Sequence, residues 1–280
     1  KYEKVKAGFD SPTGRIEPGT AGSRGEMDHL EEGKVGPKYF SPTTVIQYGH
    51  DFARYYASVK PGATVFLAKE VREHSDLYND ILSKIYLSYG LKVVRVSFTV
   101  STPIASFLPQ WLTPQGSSIV GGDQVSASHN GWTNNGLKFM GEYGEQLLPE
   151  VQDAVKKLRQ PLAGQAGIPH IDLATHPGYR EITGQEKTKL YNDYFDAMEA
   201  TLPKGFKEAI LQAAKSGFRF VFTPLKGATT EETRRYLTER LGLVEDEHFF
   251  MTPQEKGLPD RADKNFKATN WDPARKANLS

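Results

Sequence analysis

Residues 63–99 read ATVFLAKEVREHSDLYNDILSKIYLSYGLKVVRVSFT, and this stretch decides the fold class. ATVFLAKEV at 63–71 is an apolar run of strand length. DLYNDILSKIYLSY at 76–89 then carries apolar side chains at helical spacing, with Ser75 ahead of it as a cap and Gly90 behind it as a stop. LKVVRVSFT at 91–99 is β-branched and strand-like. Strand, capped helix and strand make a βαβ unit, so the chain belongs to the α/β class. Working outward, SSIVGGDQVSA at 117–127 and GLKFM at 136–140 predict strands, and LPEVQDAVKKL at 148–158 predicts a helix. Residues 159–178 are rich in proline and glycine and read as a connector, which places a domain boundary at about residue 180 and gives domains of 1–180 and 181–280. Beyond it, EKTKLYNDYFDAMEAT (186–201) and FKEAILQAAK (206–215) predict helices, and GFRFVFTPL (217–225) predicts a strand. TTEETRRYLTERLGL (229–243) follows as a helix, with Thr229 or Thr230 as its cap and Glu232 or Thr233 at the reciprocal position. The last 35 or so residues show no clear element before ARKANL.

A chain of 280 residues has room for one or two domains at roughly 150 residues each. Its 38% hydrophobic and 25% charged residues suit a packed core rather than disorder. Lys and Arg number 35 against 34 Asp and Glu, a net charge of +1, so no overall field favours nucleic acid or an anionic membrane. Any anion must be met by a local site. The absence of cysteine excludes a thiol nucleophile, a disulfide framework and thiolate metal sites. With no long apolar run and no signal-peptide layout in KYEKVKAGFD, the expectation is a soluble cytoplasmic protein. The chain opens on Lys1 and closes on ARKANLS without finishing turn signals, which suggests a piece of something longer.

Chemistry concentrates in VSASHNGWTNNGLKFMGEYGEQLLPE, residues 125–150. Here Ser128 follows a strand and is succeeded by His129, Asn130, a Gly-containing turn and Lys138. Strand-to-loop junctions are where α/β sheets present reactive groups. A loop-held serine oxygen can carry a phosphoryl group, with His129 or Lys138 stabilising charge or moving protons. By themselves these residues also fit a polar turn that bonds its own backbone. In EPGTAGSRGEM, residues 17–27, glycines flank Thr20, Ser23 and Arg24. Such a loop can turn backbone N–H groups and a guanidinium towards an anion, or it can be an ordinary flexible segment. Lys69, Arg72 and Ser75 in LAKEVREHS form a third cluster, either facing phosphate or lying at a solvated helix entry.

In order and spacing, these segments resemble the α-D-phosphohexomutase superfamily, which includes phosphoglucomutases, phosphomannomutases and phosphopentomutase-like enzymes. GTAGSRG resembles the family's GT(S/A/G)G-x-RG loop. SASHNGWTNNGLKF is similar to its TASHNP...NG-x-K phosphoserine loop, with Lys138 ten positions after Ser128. STPIASF at 101–107 is similar to the intervening TP segment, and VFTPLKGATTEETRRYLTERLGL to the second-domain strand, turn and helix. The resemblance covers nearly all of residues 15–245 and leans to the phosphopentomutase-like branch. It implies two successive three-layer α/β/α domains with mixed sheets, the second incomplete. It further implies that Ser128 is a phosphoserine that exchanges a phosphoryl group with a sugar phosphate through a sugar bisphosphate, moving it from the 1-position to the 6- or 5-position. Lys138 would act in proton transfer and Arg24 in charge stabilisation, with His129 and Asn130 shaping the loop and Thr20, Ser23, Arg24, Asn130 and Lys138 meeting phosphate. Mg²⁺ would bridge the phosphoryl group on Ser128 and a D-G-D-x-D-R loop, with a sugar bisphosphate as activator.

That aspartate loop does not occur in the 280 residues, and NWDPARKANLS resembles the family segment just before it. The expectation is therefore that the chain alone has no appreciable mutase turnover. Gly131 stands where the family has proline, LAKEVR replaces G-x-D-x-R, and TPLKG has Lys226 where histidine is common. Two readings stay open: the amino-terminal portion of a phosphosugar mutase, or a degenerate protein that binds a phosphosugar or a partner without catalysis. The sugar and the oligomeric state are not legible. His170, Asp172 and His176 could suggest zinc, but they lie in connector sequence that reads as a loop. Trp111, Trp132 and Trp271 fit core or loop anchors, although Trp132 lies within the serine loop. Arg234, Arg235 and Arg240 alternate with Glu231, Glu232 and Glu239, as on a solvated helix face, and no nucleic-acid motif occurs.

Overall fold

The 63–99 unit lies in the middle of a six-stranded sheet. A computed structural model describes residues 22–28, 38–160, 167–224 and 227–251. The strands are β1 (Ser23–Glu26), β2 (Thr64–Lys69), β3 (Lys92–Val96), β4 (Ile119–Val125), β5 (Asn134–Met140) and β6 (Tyr179–Ile182). They run in the order β1-β5-β4-β2-β3-β6, with β4, β2, β3 and β6 parallel and β5 antiparallel to both β4 and β1. All six residues of β2 are buried, as an apolar run covered on both faces requires. The helix expected after it is α2 (Ser75–Ser88), preceded by α1 (Pro42–Val59).

Ser75 does not cap α2. His74, with φ 62°, takes the cap position, and the Ser75 hydroxyl turns back to donate to the Arg72 carbonyl at 2.7 Å. Helix α1 is absent from the sequence reading. Its entry carries ordinary signals, because Ser41 Oγ accepts from the Thr44 N–H at 3.3 Å and Pro42 opens the first turn. Val45, Phe52 and Tyr56 of α1 and Ile81, Leu82 and Ile85 of α2 share one core with Val65, Leu67, Val93, Leu137 and Phe139 of the sheet.

Alternate sheet residues face α3 (Thr102–Leu112), whose Thr102 hydroxyl donates to Gln124 Oε1 and whose Ser106 hydroxyl contacts Met140 Sδ. Helices therefore cover both faces. The predicted helix near 148–158 is α4 (Pro149–Lys157). Strand β6 pairs in parallel with β3, and the chain divides into two units between Thr183 and Gly184.

The second unit contains α5 (Gly184–Glu199), α6 (Phe206–Lys215), β7 (Phe220–Phe222), α7 (Thr230–Arg235), a π turn at Tyr236–Arg240 and β8 (Phe249–Met251). β7 and β8 pair in parallel, and Ala214, Leu237, Leu241, Leu243, Phe249 and Met251 form the local core. The expected cap of α7 does not form. Thr229 makes no side-chain cap bond, and the Thr230 hydroxyl donates to the Gly227 carbonyl at 2.8 Å. The basic residues of this helix are paired: Arg235 with Glu239, Arg240 with Asp196 and Glu199, and Arg234 with Glu245. Among the described residues, no helix is long and apolar enough to cross a membrane. Trp271, Lys226 and NWDPARKANLS lie outside the described residues, as does Thr20.

Candidate active site

β4 and β5 form a hairpin whose loop carries Ser128. Gln124 lies opposite Lys138 across this pair, and on the other side of β5 Arg24 lies opposite Gly136. The loop of Ser128, the strand of Lys138 and the strand of Arg24 are thus neighbours. Glycine is required where they pack. A Cβ at Gly136 would lie 2.4 Å from the Ser23 carbonyl oxygen, and one at Gly22, where φ is 101°, would lie 2.1 Å from that of Leu137. Gly22 and Ser23 thus serve the pairing of β1 with β5. Ser23 is 1% exposed and its hydroxyl makes no hydrogen bond, so it does not present that oxygen to solvent.

Ser128 is exposed and holds φ 59°, a left-handed conformation in which a non-glycine residue is uncommon. Its N–H donates to Ser126 Oγ at 3.0 Å, and its Oγ lies 3.4 Å from Nδ1 of exposed His129. Asn130 Nδ2 donates to Asn134 Oδ1 at 3.3 Å. The rest of the loop is arranged around Arg72. Nη2 of Arg72 donates to the carbonyls of Ser128 and Asn130 at 2.7 and 2.8 Å, and Nη1 donates to those of Gly131 and Asn134, each at 2.8 Å. Nε donates to Glu70 Oε1 at 2.9 Å, and the same oxygen accepts the Ala127 N–H at 2.9 Å.

The phosphate-facing reading of Lys69, Arg72 and Ser75 is therefore corrected. Lys69 is ion-paired with Asp76, Arg72 is engaged with the loop backbone, and Ser75 is buried with its hydroxyl bonded. The solvated alternative fails as well, since all three residues are buried.

Lys138 is partly buried. Its Nζ donates to Thr102 Oγ1 at 2.7 Å, Thr102 donates to Gln124 Oε1 at 2.9 Å, and Gln124 Nε2 donates to the Val100 carbonyl at 3.0 Å. Burial pushes the Lys138 ammonium below the usual lysine value; Glu70 opposes the shift, while Arg24 and Arg72 add to it. These four charged groups thus sense one another, with positive charge in excess. Glu70, Thr102 and Gln124 were not singled out in the sequence as site residues. STPIASF contained Thr102, but no spacing rule connects it to Lys138.

Asp172 accepts the Ala174 N–H and the Thr175 hydroxyl, and His176 Nδ1 accepts the Gly178 N–H, in keeping with a loop rather than a zinc set. No group of three or more His, Asp or Glu side chains among the described residues is placed to hold a metal ion.

The fold defines the class first. A protein from Thermus thermophilus, provisionally assigned as a phosphomannomutase, superposes with a TM-score of 0.60 at 24% identity over 84% of this chain and 45% of its own. The Paramecium phosphoprotein pp63/parafusin, a phosphoglucomutase, gives 0.57 at 16% identity over 84% and 43%. The domain description "Phosphoglucomutase/phosphomannomutase, alpha/beta/alpha domain I" matches residues 15–161, and the chain belongs to that family. A phosphoglucosamine mutase from Thermus thermophilus is 31% identical over 140 residues, 50% of this chain and 29% of its own length. The phosphomannomutase of Mycoplasma pneumoniae is 26% identical over 226 residues, 79% and 37% respectively. The chain thus spans well under half the length of these relatives.

Proposed function

We propose that this chain carries the phosphoserine portion of a phosphosugar mutase, with Ser128 as the phosphoryl carrier. The observation that carries the reading is an exposed serine at φ 59° on a clasped loop, on the strand pair that also bears a lysine of lowered pKa, within the family's domain I. The phosphoryl group passes from Ser128 Oγ to a hydroxyl of the bound sugar phosphate. A phosphorus–oxygen bond to the sugar forms as that to Ser128 breaks; Lys138, in its unprotonated form, takes the hydroxyl proton, and the departing Oγ of exposed Ser128 takes a proton from solvent. The resulting bisphosphate turns over and returns its other phosphoryl group to Ser128, whose hydroxyl proton passes to solvent, while Lys138 gives its proton to the departing sugar oxygen. Burial, with Arg24 and Arg72 adding to it and Glu70 opposing it, makes the Lys138 ammonium give up its proton more readily than an ordinary lysine, which favours its use as a proton acceptor. Arg24 offsets the charge on the transferring group, in keeping with chemistry dominated by positioning and neutralisation. His129 and Asn130 shape the loop, and Thr20, which lies outside the described residues, is proposed with Arg24 to meet the phosphate, a role that buried Ser23 does not share. The same proposal includes a sugar bisphosphate activator, a cytoplasmic location and no nucleic-acid partner.

Mg²⁺ belongs to the family expectation, but the described residues around Ser128 do not fit it. They offer an imidazole, an ammonium and guanidinium groups, and the Glu70 carboxylate already accepts two internal donors through Oε1. No step is therefore assigned to a metal on these residues, and the 280-residue chain alone is expected to lack mutase turnover. The test is phosphopeptide mapping of the protein isolated from its own source. Phosphate on Ser128, absent from S128A made in the same host, supports the reading. Phosphate retained in S128A refutes the assignment, and an unphosphorylated protein that still binds hexose phosphate favours the degenerate binding reading.

A further inference from the structure

We infer that Arg72 is the positioning residue of this site: its guanidinium, aligned by Glu70, holds the Ser128 loop in its left-handed geometry without touching the substrate. The inference rests on the proposed role of Ser128. A guanidinium has five N–H donors, and here the five contacts are the carbonyls of Ser128, Asn130, Gly131 and Asn134 and the carboxylate of Glu70. Arg72 is 9% exposed. It has no donor left for a phosphate, so its position near the phosphoryl site does not make it a ligand.

The loop needs such a centre. Between β4 and β5 its own backbone supplies two turn bonds, Asn130 N–H to the Ala127 carbonyl at 3.2 Å and Asn134 N–H to the Gly131 carbonyl at 3.0 Å. The carbonyls of Ser128, Asn130, Gly131 and Asn134 converge on one point, and converging carbonyl dipoles repel one another unless a cation sits among them. Arg72 supplies that cation. Glu70 completes the clasp from the other end, because the oxygen that orients Nε also accepts the N–H of Ala127, the residue before Ser128. The Glu70 N–H donates to the Val125 carbonyl at 3.0 Å, continuing the β2–β4 pairing beyond its last pair, Lys69 with Val125. The clasp is thus built on a rigid strand end. Lysine cannot replace it, since an ammonium has three donors and no planar fork.

The experiment compares wild type, R72K and E70Q as full chains. E70Q keeps an acceptor oxygen and guards against a variant that simply fails to fold. Hydrogen exchange of the loop amides between Ala127 and Asn134 is read alongside thermal unfolding and the binding of glucose 6-phosphate by calorimetry. The clasp predicts that R72K raises loop exchange about tenfold or more, with E70Q intermediate, while exchange in α1 and β2 and the affinity for glucose 6-phosphate stay near wild type. Unchanged loop exchange in folded R72K overturns the inference. So does a loss of glucose 6-phosphate affinity with an unaltered loop, which would make Arg72 a phosphate ligand. Because exchange is measured without turnover, a protein that is never phosphorylated on Ser128 would refute the proposed function and leave the clasp itself demonstrated.

Discussion

The buried carboxyl of Asp123 makes a quantitative prediction about stability. Asp123 lies in β4, fully buried, with Oδ2 accepting the Tyr86 hydroxyl and Oδ1 without a hydrogen-bond partner. Burial pushes its carboxyl up from 3.8 to about 7, and the Tyr86 hydrogen bond only partly opposes this. In the unfolded chain the same group titrates near the ordinary aspartate value. Between these two values the folded state binds more protons than the unfolded state, so this group makes stability fall as pH rises from about 4 to about 7 and level off above. Going from 3.8 to about 7, at ~1.36 kcal/mol per tenfold change in proton affinity, amounts to ~4 kcal/mol, an upper figure if water enters on ionisation. The amide introduced by Asp123→Asn keeps an acceptor for Tyr86 and does not titrate. D123N is therefore expected to gain up to ~4 kcal/mol over wild type on moving from about pH 4 to about pH 8. Urea unfolding followed by tryptophan fluorescence reads this, since Trp111 and Trp132 lie in the first unit. The change in the wild-type-to-variant difference with pH removes contributions from every other group. A difference that stays constant within ~1 kcal/mol across that range would show that Asp123 is not a buried neutral acid.

The close approach at Gly136 predicts that G136A loses ~2 kcal/mol or more by forcing β1 away from β5, whereas G167A, whose added carbon meets nothing within 4 Å, changes stability by less than ~0.5 kcal/mol; urea titrations of both check this. In T102V the Lys138 ammonium loses its acceptor and Gln124 loses a donor, so stability falls by ~1–3 kcal/mol and the Lys138 titration, followed by NMR of a labelled lysine side chain, moves further below that of an ordinary lysine. An unmoved titration would mean that the bond to Thr102 does not hold the charged form.

Much of the first unit was legible because its strands are covered on both faces. ATVFLAKEV and LKVVRVSFT needed no knowledge of partners to read as buried strands. Helix α1 was not legible for the opposite reason. Its buried face includes His50 and Asp51, which become acceptable in a core only when the chain brings Tyr89 and Gly167 to the imidazole and Arg54 and Arg159 to the carboxylate. β6 and β8 are short, at 4 and 3 residues, and exist by pairing with a neighbouring strand rather than by pattern. Ser75 has the right chemistry for a cap, but the Arg72 carbonyl claimed its hydroxyl.

The resemblance of GTAGSRG and SASHNGWTNNGLKF to the family's loops put Ser128, Lys138 and Arg24 forward as one proposed site, because a resemblance needs only residue types and order, which are properties of the chain itself. What Arg72 does was decided only by tertiary structure. A guanidinium after a strand can face a phosphate or a ring of carbonyls, and only the parallel pairing of β2 with β4 brings Glu70 and Arg72 to the Ser128 loop. The same holds for Lys138, whose tether to Thr102 and whose lowered pKa come from α3 covering that face of the sheet. Hydrogen-bond direction and desolvation depend on which groups meet in space, and the linear order of residues does not contain that information.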